Sequence, residues 1–66
     1  MMNLDQIEGK WTQIKGALRQ EWAKLTEDDL EFARGSREKL AGRIQERYGV
    51  AREDALEQIQ EWEARH

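Results

Sequence analysis

Residues 26–49 read TEDDLEFARGSREKLAGRIQERYG, and the residue types in this stretch predict two helices with a turn between them. Thr26 precedes three carboxylates, which is typical of a helix start because its hydroxyl can accept the N–H of Asp29 and acidic side chains favour the positive end of the helix dipole. Gly35 can take the left-handed conformation that ends a helix. The first of the two helices is therefore predicted over 27–33.

The second helix of this stretch begins at Ser36, which has the same capping chemistry as threonine. Its apolar residues Leu40 and Ile44 are four positions apart, so they lie on one face of a helix. Gly49 is predicted to end this helix. This helix is predicted over 36–48.

On either side of this stretch, apolar spacing predicts one further helix. Towards the N-terminus the apolar residues recur at steps of three and four: Leu4, Ile7, Trp11, Ile14, Leu18, Trp22 and Leu25. Asn3 is a suitable N-cap for this segment, so a helix is predicted over 4–23. Towards the C-terminus one helical face carries Ala55, Leu56, Ile59 and Trp62. A helix is predicted there over 52–64.

These patterns predict an all-α fold, a small four-helix domain over residues 1–66, because no segment alternates as a strand does. A shift of 26 residues places Gly9 on Gly35 and Gly16 on Gly42 and aligns several apolar positions of the two halves. A duplicated helical hairpin would produce this pattern, and so would chance matching in a biased composition. We expect two pseudo-repeated hairpins that pack their apolar faces together.

The composition excludes several classes of protein. The chain has 66 residues, no Cys, no Pro, a formal net charge of −3 and a mean hydropathy of −1.03. Without Cys it has neither disulfides nor thiolate metal sites, which suits a reducing compartment. It contains no run of about 18 apolar residues that could cross a bilayer, and residues 1–5 do not resemble an export signal. We expect a cytoplasmic protein.

Charge is segregated along the chain. Residues 1–25 contain four basic and three acidic groups. Residues 26–33 contain four acidic groups and no basic ones, whereas residues 34–52 contain six basic and two acidic groups. Residues 53–66 are acidic again, with five acidic groups and one basic group. Opposite charges on consecutive helices predict that these helices are neighbours. Exposed ion pairs, worth about 0–1 kcal/mol each, are better at selecting helix pairs than at stabilising them.

Catalysis has few candidate groups. The single His is the terminal His66, and Ser36 has no evident base partner, so no Ser-His-acid arrangement can be assembled. All carboxylates fall on helix faces expected to be exposed. Helix capping explains the acidic run 26–29 better than cation binding does. We predict no enzymatic activity, no metal site and no cofactor.

One surface is a candidate for binding. Lys39, Arg43 and Arg47 are four residues apart and form a basic stripe on the third predicted helix. An anionic partner, such as a phosphate backbone or an anionic membrane surface, would offset the repulsion among them. The favoured interpretation is instead that acidic residues of the second and fourth helices neutralise the basic stripe internally. A nucleic-acid partner stays open, although the net charge of −3 disfavours it.

Tryptophans and glycines give two more expectations. Trp11, Trp22 and Trp62 lie on the apolar faces, so we predict that they form core rather than stack on bases, each with its indole N–H on an acceptor or at the core's rim. Gly16 and Gly42 lie inside predicted helices, where glycine costs about 1 kcal/mol relative to alanine. We expect another helix to approach closely there. The alternative is that helix stability is kept low in a conditionally ordered chain.

The order of these motifs resembles that of the CsbD-like family of small bacterial stress-response proteins. The resemblance covers nearly the whole chain and rests on GKWTQIKG (9–16), Trp22 with KLTEDDL (24–30), Gly35, Leu40, Gly42, IQERYG (44–49) and Trp62-Glu63. It implies a small, soluble, cytoplasmic, helical protein whose production rises under general stress or in stationary phase. It carries over no catalytic or ligand-binding residue. The family usually has glycine where this chain has Ala23, a departure that allows the first helix to extend toward Leu25.

Two functions fit these observations. The first, which is preferred, is a non-enzymatic stress protectant resembling hydrophilins, because the chain is very polar and contains five glycines but no Cys or Pro. The second is a folded interaction module that binds a nucleic acid or a protein through the basic stripe. Neither hypothesis specifies a particular partner or an oligomeric state.

Overall fold

Four α-helices make up most of the described chain, and no strand occurs in it. The computed structural model describes residues 3–6 and 8–66. The helices are α1 (Trp11–Glu21), α2 (Glu27–Phe32), α3 (Arg37–Tyr48) and α4 (Arg52–Arg65), and two short 3-10 turns, Leu4–Gln6 and Glu8–Lys10, precede α1. The prediction of an all-α fold is confirmed.

The first helix is shorter than predicted. The sequence predicts it over 4–23, but α1 starts seven residues later and ends two residues earlier. Gly9 disfavours a continuous helix by about 1 kcal/mol, and the segment before α1 forms 3-10 turns instead. Asn3 does act as a cap, because its Oδ1 accepts the N–H of Asp5 at 3.0 Å, but the capped element is a 3-10 turn. Ile7, predicted to share the apolar face, lies outside the described residues.

The expected extension of α1 toward Leu25 is wrong. At Trp22 the backbone leaves the helical region (φ −122°, ψ 80°) even though alanine and not glycine follows. The N–H of Leu25 donates to the carbonyl O of Trp22 at 3.1 Å, and the N–H of Lys24 donates to the hydroxyl of Tyr48 at 2.9 Å. A turn held by a hydrogen bond to α3 therefore ends the helix.

The predicted caps of α2 and α3 are confirmed. Thr26 Oγ1 accepts the N–H of Asp29 at 3.1 Å, and Asp29 Oδ2 accepts the N–H of Thr26 at 2.9 Å, so each residue satisfies a backbone donor of the other. Ser36 caps α3 through its hydroxyl oxygen. Gly35 has a φ of 70°, the left-handed conformation predicted for it, and Gly49, predicted to end α3, has a φ of 67°. The bounds of α2, α3 and α4 differ from the predicted ones by at most one residue at either end.

Ion pairs join α1 to α2, as the charge pattern predicts. Lys15 Nζ contacts the Glu27 carboxylate and lies 2.8 Å from Glu31 Oε2. Arg19 Nη1 lies 3.7 Å from Glu27 Oε1. These side chains are partly or largely exposed, so they direct α2 to its place beside α1 more than they stabilise the fold.

Buried apolar side chains from every helix form a single cluster in the described part of the chain. Its members are Leu4, Trp11, Ile14, Leu18, Trp22, Leu25, Leu30, Ala33, Leu40, Ala41, Ile44, Ala55, Ile59 and Trp62. The prediction that all three tryptophans are core residues is confirmed. Trp22 Nε1 donates to Gln58 Oε1 at 3.0 Å, whereas Trp11 Nε1 is buried with no hydrogen-bond partner among the described residues. The expectation of an acceptor or a rim position for each indole is therefore wrong at Trp11.

The two halves of the chain do not form matching hairpins. α3 and α4 make the most extensive contact between helices, and α2 also packs on α3. α2 has six residues whereas α4 has 14, so the second helix of one half cannot bury the same face as its counterpart. The duplication expected from the sequence is not confirmed.

Helix packing does not explain the interior glycines. A Cβ added at Gly16 or Gly42 would meet no heavy atom within 4 Å beyond the adjacent residues and the backbone of its own helix. The expected close approach of another helix is therefore wrong at both positions. Each glycine lowers helix stability relative to alanine, and no contact in the described structure requires its small size.

Candidate interaction surface on the third helix

α3 places the predicted basic stripe on one face, beside α2. Lys39, Arg43 and Arg47 follow one another at intervals of about one helical turn, so they share the face that borders α2. Their surroundings differ, because α2 presents a buried carboxylate to one end of the stripe and an aromatic ring to the other. The three residues are therefore not equivalent as binding groups.

Arg47 is paired with Asp29 of α2. Its Nε and Nη2 donate to the two carboxylate oxygens at 2.8 and 3.1 Å, and the carboxyl group is only 2% exposed. The hydrogen bonds from Arg47, supported by those from Thr26, lower the pKa of Asp29 to about 2 against the opposing effect of burial. Removing Arg47 would leave a buried carboxylate whose one remaining cationic contact among the described residues is Arg43 Nη1 at 3.7 Å. The predicted neutralisation by the second helix is confirmed for this arginine.

Arg43 packs against the ring of Phe32. Its Cζ lies 4.1 Å from the ring centroid, a cation–π distance. Its Nη1 lies 3.7 Å from Asp29 Oδ1 and 3.5 Å from Glu46 Oε1, so neighbouring carboxylates offset part of its charge. Its Nε is buried without a hydrogen-bond partner in the described chain. Arg43 is thus positioned by Phe32 and only loosely paired.

Lys39 is the exposed end of the stripe. Its Nζ lies 5.5 Å from the centroid of the Phe32 ring. It forms no ion pair within the part of the chain that the structure describes. Its charge is therefore available to a partner, in contrast to that of Arg47.

Phe32, Lys39 and Arg43 together form a cationic aromatic surface, hereafter the Phe32 patch. Phe32 is 49% exposed and is the one exposed large apolar side chain among the described residues. The basic stripe predicted from sequence did not include it. The signal was present nonetheless, because Phe32 follows the buried Leu30 by two positions, or about 200° around a helix, and cannot face the same core.

A second buried carboxylate, Glu63, lies in the last turn of α4. Its Oε1 accepts a hydrogen bond from Arg37 Nη2 at 2.7 Å, and its Oε2 accepts the N–H of Leu4 at 2.8 Å. The N–H of Arg37 in turn donates to Asp5 Oδ1 at 2.7 Å. This network holds the first 3-10 turn against α3 and α4. The expectation that every carboxylate is exposed is wrong for Glu63 and for Asp29.

The groups considered for catalysis are occupied in structural contacts. The His66 ring stacks on Trp62 at a centroid distance of 4.2 Å, and its Nδ1 lies 2.9 Å from the carbonyl O of Trp62. The hydroxyl of Ser36 serves as the α3 cap. Within residues 3–6 and 8–66 no three metal-ligating side chains come together, and no helix there is long and apolar enough to span a membrane.

Comparison with known proteins supports the motif resemblance. The CsbD-like family model matches residues 5–57. The chain belongs to the CsbD-like family. This CsbD-like chain is also 49% identical to the UPF0337 protein ECA0631 of Pectobacterium atrosepticum over 65 residues, which cover 98% of the chain and 94% of the relative. It is 43% identical to the UPF0337 protein YjbJ of Escherichia coli K12, with the same coverage.

A third relative matches over a similar length. The UPF0337 protein pc0632 of Protochlamydia amoebophila is 42% identical over 65 residues, which cover 98% of both chains. No significant match to a solved structure was found. These relatives' names state no molecular activity, so the function of this CsbD-like chain is argued from its own contacts.

Proposed function

We propose that this CsbD-like chain is a non-enzymatic, cytoplasmic stress-response protein that acts as a hydrophilin-like protectant. The observation that carries the proposal is the open space at Gly16 and Gly42, where alanine would fit without contact within 4 Å. Two helix-weakening residues that packing does not require favour a chain that orders conditionally. The polar composition, with a mean hydropathy of −1.03, keeps such a chain soluble when its helices partly unfold.

The size of the chain makes these two glycines energetically important. A single core of 66 residues rarely supplies more than about 3–5 kcal/mol of stability. Two interior glycines that cost about 1 kcal/mol each remove a large share of that margin. The resulting protein is expected to interact weakly and without sequence selectivity, shielding neighbouring proteins through its charged, hydrated surface.

The test is an aggregation assay with two matched forms of the chain. A labile enzyme is heated or dried with the natural chain, with the double variant Gly16→Ala/Gly42→Ala, or with an equal mass of an inert globular protein. The natural chain should reduce light scattering and loss of enzyme activity more than the globular protein does. The double variant should protect less, because its helices are more stable and its surface chemistry is almost unchanged.

Protection no better than that of the inert protein would refute the protectant function. Equal protection by the two forms would refute the role of conditional order. Circular dichroism and tryptophan fluorescence melts of both forms, at two protein concentrations, verify that the double variant is the more stable one and detect any self-association.

A second candidate function is an interaction module, and the Phe32 patch specifically favours it. A half-exposed aromatic ring beside an ammonium group that forms no ion pair with the described residues is a surface that a partner would cover favourably. On this hypothesis the contact groups are Phe32, Lys39 and Arg43, and Arg47 instead holds α2 in place. The binding experiment below tests this candidate separately from the aggregation assay.

A further inference from the structure

We infer that the Phe32 patch binds single-stranded nucleic acid, with a base stacked on Phe32 and the neighbouring phosphates on Lys39 and Arg43. The inference rests on the second candidate function, the interaction module, and names its partner. It is independent of the protectant function.

The aromatic ring decides between single-stranded and duplex nucleic acid. Proteins that bind single strands combine exposed aromatic side chains, on which bases stack, with cations that follow the phosphates. Phe32 is 49% exposed, and the two cations lie 4.1 and 5.5 Å from its ring centroid. A duplex keeps its base faces inside its own stack, so it would leave the exposed ring without a partner.

The two cations are suited to adjacent phosphates. Both belong to α3 and lie four residues apart, so they project from neighbouring turns of one face of α3. The Phe32 ring of α2 lies beside this face. Lys39 forms no ion pair within the described chain, and Arg43 has only carboxylate contacts of 3.5 and 3.7 Å. Phosphate could therefore bind both without breaking a short ion pair.

The charge of the whole chain sets the strength of this binding. A net charge of −3 provides no long-range attraction for a polyanion, but charges are screened beyond about 8 Å at physiological salt. The attraction therefore depends on Lys39 and on Arg43, whose charge Asp29 and Glu46 partly offset. Contacts to two phosphates predict a salt dependence with a slope of roughly −1.4 in log affinity against log salt. Weak, local binding of a short single strand is the expected result.

An acidic protein segment is the competing partner. Its carboxylates would pair with the two cations, but they would not use the face of the Phe32 ring. A half-exposed ring with two cations within 5.5 Å of its centroid therefore favours the nucleic acid. The distinction becomes measurable when the ring and the charges are altered separately.

The experiment measures the fluorescence anisotropy of a labelled 12-nucleotide oligothymidylate as the full chain is added at low salt. A duplex of the same length is the second probe, and unlabelled polyglutamate is the competitor. We expect saturable binding of the single strand, weaker binding of the duplex, and poor competition by polyglutamate. Binding should weaken as salt is raised.

Substitutions then separate stacking from charge. Phe32→Ala should weaken binding by at least about fivefold, the lower end for loss of one stacked base, and Phe32→Trp should restore it. Phe32→Leu keeps an apolar side chain but should bind like Phe32→Ala. Lys39→Gln should weaken binding several-fold and reduce the salt slope by roughly 0.7. Lys10→Gln, which removes one exposed lysine charge outside the patch, is the matched control and should have little effect.

Several outcomes would overturn the inference. These are equal binding of duplex and single strand, equal losses for Lys39→Gln and Lys10→Gln, or full binding by Phe32→Leu. Strong competition by polyglutamate would assign the Phe32 patch to an acidic protein instead. Absence of oligothymidylate binding at millimolar protein would refute the nucleic-acid partner. Circular dichroism verifies that each variant is folded. If the Phe32→Ala variant protects the labile enzyme as well as the natural chain does, the protectant function does not depend on nucleic-acid binding.

Discussion

Asp29 and Glu63 are both buried carboxylates paired with an arginine of α3, yet they hold different parts of the molecule together. Asp29 is 2% exposed and is bound by Arg47 at the C-terminal end of α3, 18 residues away in sequence. Glu63 is 3% exposed and is bound by Arg37 at the first residue of α3 and by the N–H of Leu4, 59 residues away. One site anchors a short helix, and the other joins the two ends of the described chain.

The difference lies in how much of each site is built locally. Asp29 belongs to a capping box with Thr26, so the first turn of α2 orients its carboxylate independently of Arg47. Glu63 depends on two groups that approach only when the whole fold is formed, and Leu4 belongs to a 3-10 turn near the N-terminus. A local cap can therefore be extended into a tertiary ion pair, whereas a long-range network forms only when the rest of the chain has folded.

Replacing Asp29 by alanine should have the largest effect. The change removes a cap and the partner of Arg47, and we expect a loss of about 3 kcal/mol in the free energy of unfolding, because breaking a buried pair costs about 3–5 kcal/mol and the 42% exposed Arg47 can be rehydrated. Circular dichroism at 25 °C and a thermal melt would measure it. Asp28→Ala, an exposed neighbour in the same turn, is the control, and an equal loss there would contradict the special role of Asp29.

Replacing Glu63 by alanine should lower the free energy of unfolding by less, about 2 kcal/mol. The change removes the hydrogen bonds from Arg37 and from the N–H of Leu4 but does not affect a helix cap. The effect should be local as well as global. Amide hydrogen exchange at Leu4 should accelerate in the variant beyond what the loss of global stability explains, while exchange in α2 follows the global value. Glu61→Ala, an exposed site on the same helix, serves as control. Uniform acceleration over the whole chain would contradict a separate N-terminal anchor.

Acid should weaken the Asp29 site over a defined range. Its pKa is about 2 in the folded chain and about 3.9 in an unfolded one, so its contribution is complete above pH 4 and is lost as the pH falls toward 2. Exposure of Arg47 reduces the effect, and we expect a loss of about 1–2 kcal/mol. Urea unfolding at pH 4.5 and 2.5 would measure it for the natural chain and for Asp29→Asn. Equal acid sensitivity of the two would assign the effect to other carboxylates.

The sequence predicted the elements whose signals are local. The caps at Thr26 and Ser36 and the left-handed glycines depend on a few neighbouring residues, and all were found where expected. The start of α1 was predicted wrongly because an apolar spacing of three and four does not distinguish an α-helix from successive 3-10 turns that also bury Leu4. Local chemistry was therefore informative, and periodicity alone was not enough.

The candidate surface was predicted only in part, for a related reason. The basic stripe followed from spacing, but whether each cation is paired depends on how α2 lies across α3. In that arrangement Arg47 is paired with Asp29, and the Phe32 ring packs against Arg43. Glu63 was missed because charged residues are assumed to be exposed, although its position four residues after the buried Ile59 places it on the core face.

The smallest expected effect, and one of opposite sign, concerns Gly42 in the middle of α3. α3 carries the arginines of both carboxylate sites, so strengthening it should stabilise both ends of the molecule together. Gly42→Ala should raise the free energy of unfolding by about 0.5–1 kcal/mol, since the added methyl group meets nothing within 4 Å and helix propensity improves. Gly16→Ala in α1, a helix that supplies neither carboxylate nor arginine to the two sites, is the matched comparison. Urea unfolding would give both values, and hydrogen exchange would show Gly42→Ala slowing exchange in α2 and at Leu4 alike. Destabilisation by Gly42→Ala would contradict the open space at this position, because it would mean that the added methyl group clashes with a neighbour within the fold.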